Sequence, residues 1–113
     1  MVNLPAEQIG ELKQLFPTGV EMEEGGTPFF FIPNYQLPLH CTPSRTDLLF
    51  CPVPFGGYSS RVYFATMIQG IPARNWNSKG VRIVDRTWWA FSWRVTGDLR
   101  PSQLLLAHLG ALS

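Results

Sequence analysis

The sequence predicts an α+β domain, a four-stranded antiparallel meander flanked by an N-terminal and a C-terminal helix. Two helical-period runs lie at the ends of the chain, and period-two or short apolar runs lie between them. The stretch from Thr46 to Thr66, TDLLFCPVPFGGYSSRVYFAT, organises the rest. Its two apolar runs, Leu48 to Cys51 and Val62 to Ala65, suit short buried strands. Pro52, Pro54, Gly56 and Gly57 between them forbid a helix and reverse the chain.

The first helix is expected from Pro5 to Phe16, with Ile9, Leu12, Leu15 and Phe16 at helical spacing and Pro5 suited to a first turn. Glu7 near its positive end and Lys13 near its negative end both complement the macrodipole, and Pro17 stops it. Val20 and Met22 then alternate with Glu21 and Glu23, the period of a half-buried strand. Glu24-Gly25-Gly26-Thr27 signals a hairpin, and Phe29 to Ile32 supplies the returning strand. Strands are thus expected at about 20–23, 28–32, 47–51 and 61–66, with an irregular stretch from Asn34 to Arg45. After Thr66, Gly70, Pro72, Asn75 and Asn77 read as loop. A short extended piece, Val81 to Val84, follows a turn at Lys79-Gly80. Trp88, Trp89 and Trp93 crowd the next segment, where large aromatics complete a small core or form a recognition surface. The last helix runs from Pro101 to about Leu112, with Leu105, Leu109 and Leu112 on one stripe.

A chain of 113 residues accommodates one domain, 1–113, and one core. Hydrophobic residues at 45% against 15% charged exclude a disordered, solvating chain. A net charge of +1, with arginines scattered along the chain, gives no electrostatic case for nucleic acid or for an anionic membrane. No stretch approaches the ~20 apolar residues of a membrane-spanning helix. The start, MVNLPAEQ, lacks the basic and apolar regions of a secretory signal. A cytoplasmic location with both thiols reduced is therefore expected.

Few residues carry candidate chemistry. His40-Cys41 is an adjacent imidazole–thiol pair in which Cys41 would be a nucleophile, set against a loop cysteine with no chemistry. Cys51 falls on a buried strand, where it serves as a small hydrophobe. His40, His108 and the two cysteines show no metal-ligand spacing. Glu21, Glu23 and Glu24 read as a solvated hairpin face. No phosphate-cradling or dinucleotide-binding glycine motif is present, and no cofactor is expected.

The order of helix, meander, long irregular crossing and helix resembles the ubiquitin-conjugating enzyme fold. In that family a strand ending in Pro leads to a Tyr-Pro turn and then to a strand ending Phe-x-Thr. Here Pro52, Pro54, Tyr58 and Phe64-Ala65-Thr66 stand in that order. The family's His-Pro-Asn, a turn with Asn and Gly, and then Ile, the catalytic Cys, Leu and Asp follow. This chain reads ARNWNSKGVRIVD from Ala73 to Asp85, with Asn75, Asn77, Ser78, Gly80 and Asp85 in register. Ala73 and Arg74 replace the His and Pro, and Ile83 stands in the cysteine's place. Trp88, Trp89, Leu99 and the Leu-rich helix resemble the family's Trp and following helix. The compact form is most similar to the bacterial members encoded with ubiquitin-like proteins, activating enzymes and deconjugating proteases.

The resemblance implies a component of a bacterial ubiquitin-like modification pathway, antiphage defence being one setting for it. Its partners would be a ubiquitin-like protein and the activating enzyme. It implies that Asn75 supports the oxyanion during aminolysis of a thioester, and that Phe55, Gly57 and Tyr58 belong to a partner-docking turn. An aliphatic side chain at Ile83 is no nucleophile. Either the carrier cysteine has moved, with Cys41 the better candidate, or the domain is an adaptor that binds without catalysing. Ile83 itself is expected near the Asn75 amide and open to reagents. A small α+β interaction domain unrelated to conjugation is the reading from a different class.

Overall fold

In a computed structural model, which describes residues 4–112, two helices and six strands follow one another along the chain. Helix α1 (Ala6–Leu15) precedes strands β1 (Val20–Glu24), β2 (Thr27–Gln36), β3 (Arg45–Cys51), β4 (Arg61–Phe64), β5 (Trp76–Ile83) and β6 (Arg86–Phe91). Helix α2 (Pro101–Leu109) closes the chain and runs into a 3-10 turn, Gly110–Leu112. The strands form one antiparallel sheet in the order β1-β2-β3-β4-β6-β5. The first four are the expected meander. The expected count of four becomes six, because the tail of the meander continues into a hairpin that pairs β6 to β4 through Phe64 and Trp89.

Two features hid that hairpin. Its turn is Val84-Asp85, with φ values of 46° and 63°, a left-handed pair built from residues that lack the Asn-Gly signature. Lys79-Gly80, expected to be the turn, instead lies inside β5, where Gly80 at φ 75° sits in a bulge between Lys79 and Val81. β5 is an edge strand exposed along much of its length, so its composition reads as loop. A second bulge explains why β2 outruns its expected end. Between Ile32 and Tyr35 the register slips, Asn34 takes φ 52°, and pairing resumes at Tyr35–Thr46 and Gln36–Arg45.

Both faces of the central strands are apolar. Leu48, Leu49, Phe50 and Cys51 of β3 and all of β4 are buried. Alternate residues therefore serve two separate clusters. On one face Phe30, Ile32, Leu48, Phe50, Val62 and Phe64 meet Leu12 of α1 and Leu105, Leu109 and Leu112 of the C-terminal segment. Arg100 fastens the two helices together, with Nε and Nη2 each 2.8 Å from a Glu11 carboxylate oxygen. Gly19 leaves room for the Phe30 ring, which a Cβ there would strike.

No helix covers the other face, which carries Phe29, Leu49, Cys51, Tyr63, Ile83, Trp88 and Ala90. The sheet covers it by curling. β2 and β6 are three strand spacings apart, roughly 14 Å in a flat sheet, yet the Phe31 and Trp88 rings lie 6.3 Å apart. The Val84 N–H donates to Glu24 Oε1 at 2.9 Å, tying the β5–β6 turn to the end of β1. Arg86 lies over the Phe31 and Trp88 rings at 5.2 and 4.9 Å and pairs with Asp47 Oδ2 at 2.8 Å. Asp47 Oδ1 accepts the Asn34 N–H of the β2 bulge at 2.7 Å. Desolvation opposes the charged carboxylate, but Asn34 and Arg86 outweigh it and hold Asp47 below its ordinary pKa.

Trp88 is fully buried and its Nε1–H donates to the Ile83 carbonyl at 3.0 Å. Trp88→Ala is expected to cost about 3–5 kcal/mol in denaturant unfolding, the range for a buried aromatic. Leu106→Ala, on the 51% exposed outer face of α2, is expected to change stability by no more than about 0.5 kcal/mol.

Candidate functional site

The residues singled out in the sequence fall into three places. Cys41 sits in the connection from β2 to β3, which meets the connection from β4 to β5 through paired Thr42 and Gln69 backbone bonds of 2.9 Å. Gly70 makes that approach possible, because at φ 90° its missing Cβ would occupy the His40 carbonyl. The two loops converge on the C-terminal turn. His40 Nε2 lies 3.1 Å from the Leu112 carbonyl, and Arg74 Nη2 donates to the Ala111 carbonyl at 2.8 Å. The sequence reading placed Cys41 and Asn75 at one end of the sheet, and their loops do meet there.

The two side chains sit in different surroundings. Cys41 is only 6% exposed and belongs to the helix-side core. Burial pushes its thiol pKa up, away from the thiolate that a nucleophile requires. Cys51 is fully buried, donates its S–H to the Val53 carbonyl at 3.3 Å, and is pushed up to about 11 by burial. Asn75 is exposed, and its backbone carbonyl accepts the Ser92 N–H at 2.7 Å.

Ile83 is corrected outright. It lies at the end of β5 remote from Asn75 and is 1% exposed, packed among Phe29, Trp88 and their neighbours. In the resemblance, residues 75–85 form an irregular crossing that brings the two together. Here a bulged strand extends between them and separates them.

The Phe55 to Tyr58 turn is a tight hairpin. Phe55 and Tyr58 exchange backbone bonds of 2.9 and 3.2 Å, and Gly56 and Gly57 take φ values of 60° and 87°. Phe55 turns edge-on to Phe29 at 5.4 Å, so it braces the turn from inside. Tyr58, 8% exposed, is clasped between two guanidinium groups, Arg61 at 4.0 Å and Arg94 at 4.3 Å from its ring centre. Its hydroxyl donates to Ser92 Oγ at 3.0 Å and accepts from Asn77 Nδ2 at 2.7 Å. These two contacts hold the phenol below its ordinary pKa against the cost of burial, helped by both arginines. The glycine tip and Arg94, whose Nη1 donates to the Gly57 carbonyl at 3.2 Å, are what the turn offers to solvent.

Arg61 and its neighbours carry no sequence signal. Arg61 is 4% exposed, and its two Nη groups donate to neutral acceptors, Ser78 Oγ at 3.1 Å and Asn77 Oδ1, while its buried Nε–H has no partner among the described residues. Beside it Ser60 Oγ lies 2.9 Å from His108 Nε2. That is the spacing of an activated serine, but Ser60 and His108 are 2% and 4% exposed, so no substrate reaches them. Burial, and then the Arg61 charge, push the His108 pKa down to about 4. The pair therefore acts as a neutral hydrogen bond that seats α2 on the start of β4. Only the fold brings residues 60 and 108 together.

Among the described residues no three of His, Cys, Asp and Glu cluster closely enough to hold a metal, and no helix is long and apolar enough to cross a membrane. No protein-family model matches the chain, and neither does any curated protein or solved structure.

Two predictions follow from this geometry. The unfolded chain binds a proton on His108 near pH 6.5, whereas the folded chain binds it only near 4. Stability is then complete above pH 6.5 and falls toward pH 4, by about 3 kcal/mol through this group. Unfolding midpoints measured across that range should show the fall, and His108→Gln, which can still bond Ser60, should flatten it. For the thiols, Cys41, Cys51 and a cysteine introduced by Ile83→Cys are all expected to react with a thiol reagent at least about tenfold more slowly in the folded protein than in denaturant.

Proposed function

We propose that this domain is a non-catalytic, ubiquitin-conjugating-like adaptor that binds a ubiquitin-like protein or its activating enzyme. Support for the class comes from the leading helix, the antiparallel meander of β1 to β4 and the closing Leu-rich helix, while the β5–β6 hairpin departs from the irregular crossing of the resemblance. The ordered set Pro52, Pro54, Tyr58 and Phe64-Ala65-Thr66 adds to it, with the Tyr placed in a rigid, surface-reaching turn. The burial of both thiols carries the non-catalytic half. A carrier must present a thiolate to the activating enzyme's thioester, and two buried sulfurs with raised pKa present none. What remains is a fixed surface, and a bacterial ubiquitin-like modification pathway is the setting the resemblance gives it.

The test mixes the full chain with an activating enzyme, a ubiquitin-like protein and ATP. The expected outcome is a stoichiometric complex with one of the two proteins, seen by analytical ultracentrifugation, with no adduct that a reducing agent reverses. A thiol-sensitive adduct that disappears with Cys41→Ser would reinstate the relocated carrier, with Asn75→Ala then slowing discharge to an amine. Absence of any complex would favour the unrelated interaction domain.

A further inference from the structure

Outside that site, a cavity of about 560 Å³ opens between the first turns of α1 and the β1–β2 hairpin. Leu4, Ile9, Met22, Phe29 and Phe30 give it an apolar wall, and Glu21 and Glu23 stand on its β1 side. Both glutamates are exposed, and neither meets a basic side chain within ion-pair distance among the described residues. Among the described residues β1 is the terminal strand of the sheet, with β2 on one side and no strand on the other. A row of unpaired backbone groups therefore runs beside an apolar cavity with an acidic rim.

We propose that this edge takes an extended partner segment of alternating basic and apolar residues, added as a seventh strand beside β1. Backbone pairing along a free edge supplies sequence-independent affinity, and side chains at alternate positions supply selectivity. A segment lying beside β1 places every second side chain on the face that carries Glu21 and Glu23. Basic groups there meet the carboxylates, and the apolar side chains between them turn to the opposite face, toward Met22 and Phe29 of the cavity lining. A second copy of this chain is the wrong occupant. Antiparallel pairing of two β1 edges centred on Met22 would set Glu21 opposite Glu23 twice, and like charges directly opposite destabilise a strand pair. The same charges that block self-pairing select a basic partner. This inference stands whether or not the domain belongs to a conjugation pathway.

The test uses the full chain and a fluorescein-labelled hexapeptide, Lys-Val-Lys-Leu-Lys-Val. Its controls are a twin with Glu in place of Lys and a twin with Pro in place of both Val residues. Anisotropy should show saturable binding of the basic peptide, weakened about tenfold or more by Glu21→Lys with Glu23→Lys, as expected for reversing two rim contacts. Glu21→Gln with Glu23→Gln should weaken it less, and unchanged unfolding midpoints would confirm that both variants fold. Amide hydrogen exchange should slow at β1 positions when the basic peptide is bound, and the Pro twin should not bind. Equal binding of the acidic twin, equal binding of the Pro twin, or indifference to the glutamate variants would each overturn the proposal. So would a concentration-dependent dimer of the protein that the peptide fails to dissociate.

Discussion

A sheet that is apolar on both faces must have both faces covered, and the chain has helices for only one. The whole architecture answers that constraint. α1 and α2 roof Phe30, Leu48, Phe50, Val62 and Phe64, while the sheet bends to cover its own other side. Trp88 is the contact that makes the bend worthwhile. It reaches from β6 to Phe31 of β2, across two intervening strands, and buries its entire surface. A buried aromatic of this size contributes more than any single polar contact in the molecule. The bulges in β2 and β5 supply the local twist and bend that a flat ladder would refuse.

Polar groups then fix the register of that bend. Arg86 reads it most directly, since one guanidinium touches β6, β2 and β3 through Trp88, Phe31 and Asp47. At the other end of the sheet Arg61, Tyr58, Asn77, Ser78 and Ser92 form a network joining the Gly56-Gly57 turn to β5 and to the chain beyond β6. It holds a nearly buried cation on neutral acceptors and aromatic faces. His108 stays neutral chiefly because burial disfavours its charged form, and the nearby Arg61 charge disfavours it further. Arg74 and His40 complete the pattern by holding carbonyls at the end of the C-terminal turn.

The same economy explains why chemistry is scarce. Several groups with catalytic potential are engaged in the fold: Cys41 and Cys51 in the two cores, Ser60 and His108 in seating α2, Tyr58 between two arginines. What faces solvent includes the glycine tip, braced by Arg94, and the β1 edge beside its cavity.

The linear sequence determined the helices and the first four strands, because those elements rest on local periodicity, although Leu15 and Val20, expected on inward faces, are exposed. Leu12 and Leu105 declare themselves through helical spacing. β3 and β4 do so through short apolar runs broken by Pro and Gly. Gly56-Gly57 names its own turn. The β5–β6 hairpin was beyond that reach. Val84-Asp85 is a left-handed turn that nothing in its composition announces, and the Gly80 that looks like a turn is a bulge. Only tertiary structure decided the fate of the functional candidates. Cys41 lies in a polar, Pro-broken loop by sequence, yet that loop is pressed into the core by its pairing with Gln69 and its fit against Gly70. Ile83 and Asn75 are near neighbours in number but are held apart by an extended strand. Exposure, pKa and proximity depend on which distant segments close over a residue. Periodicity carries no record of that.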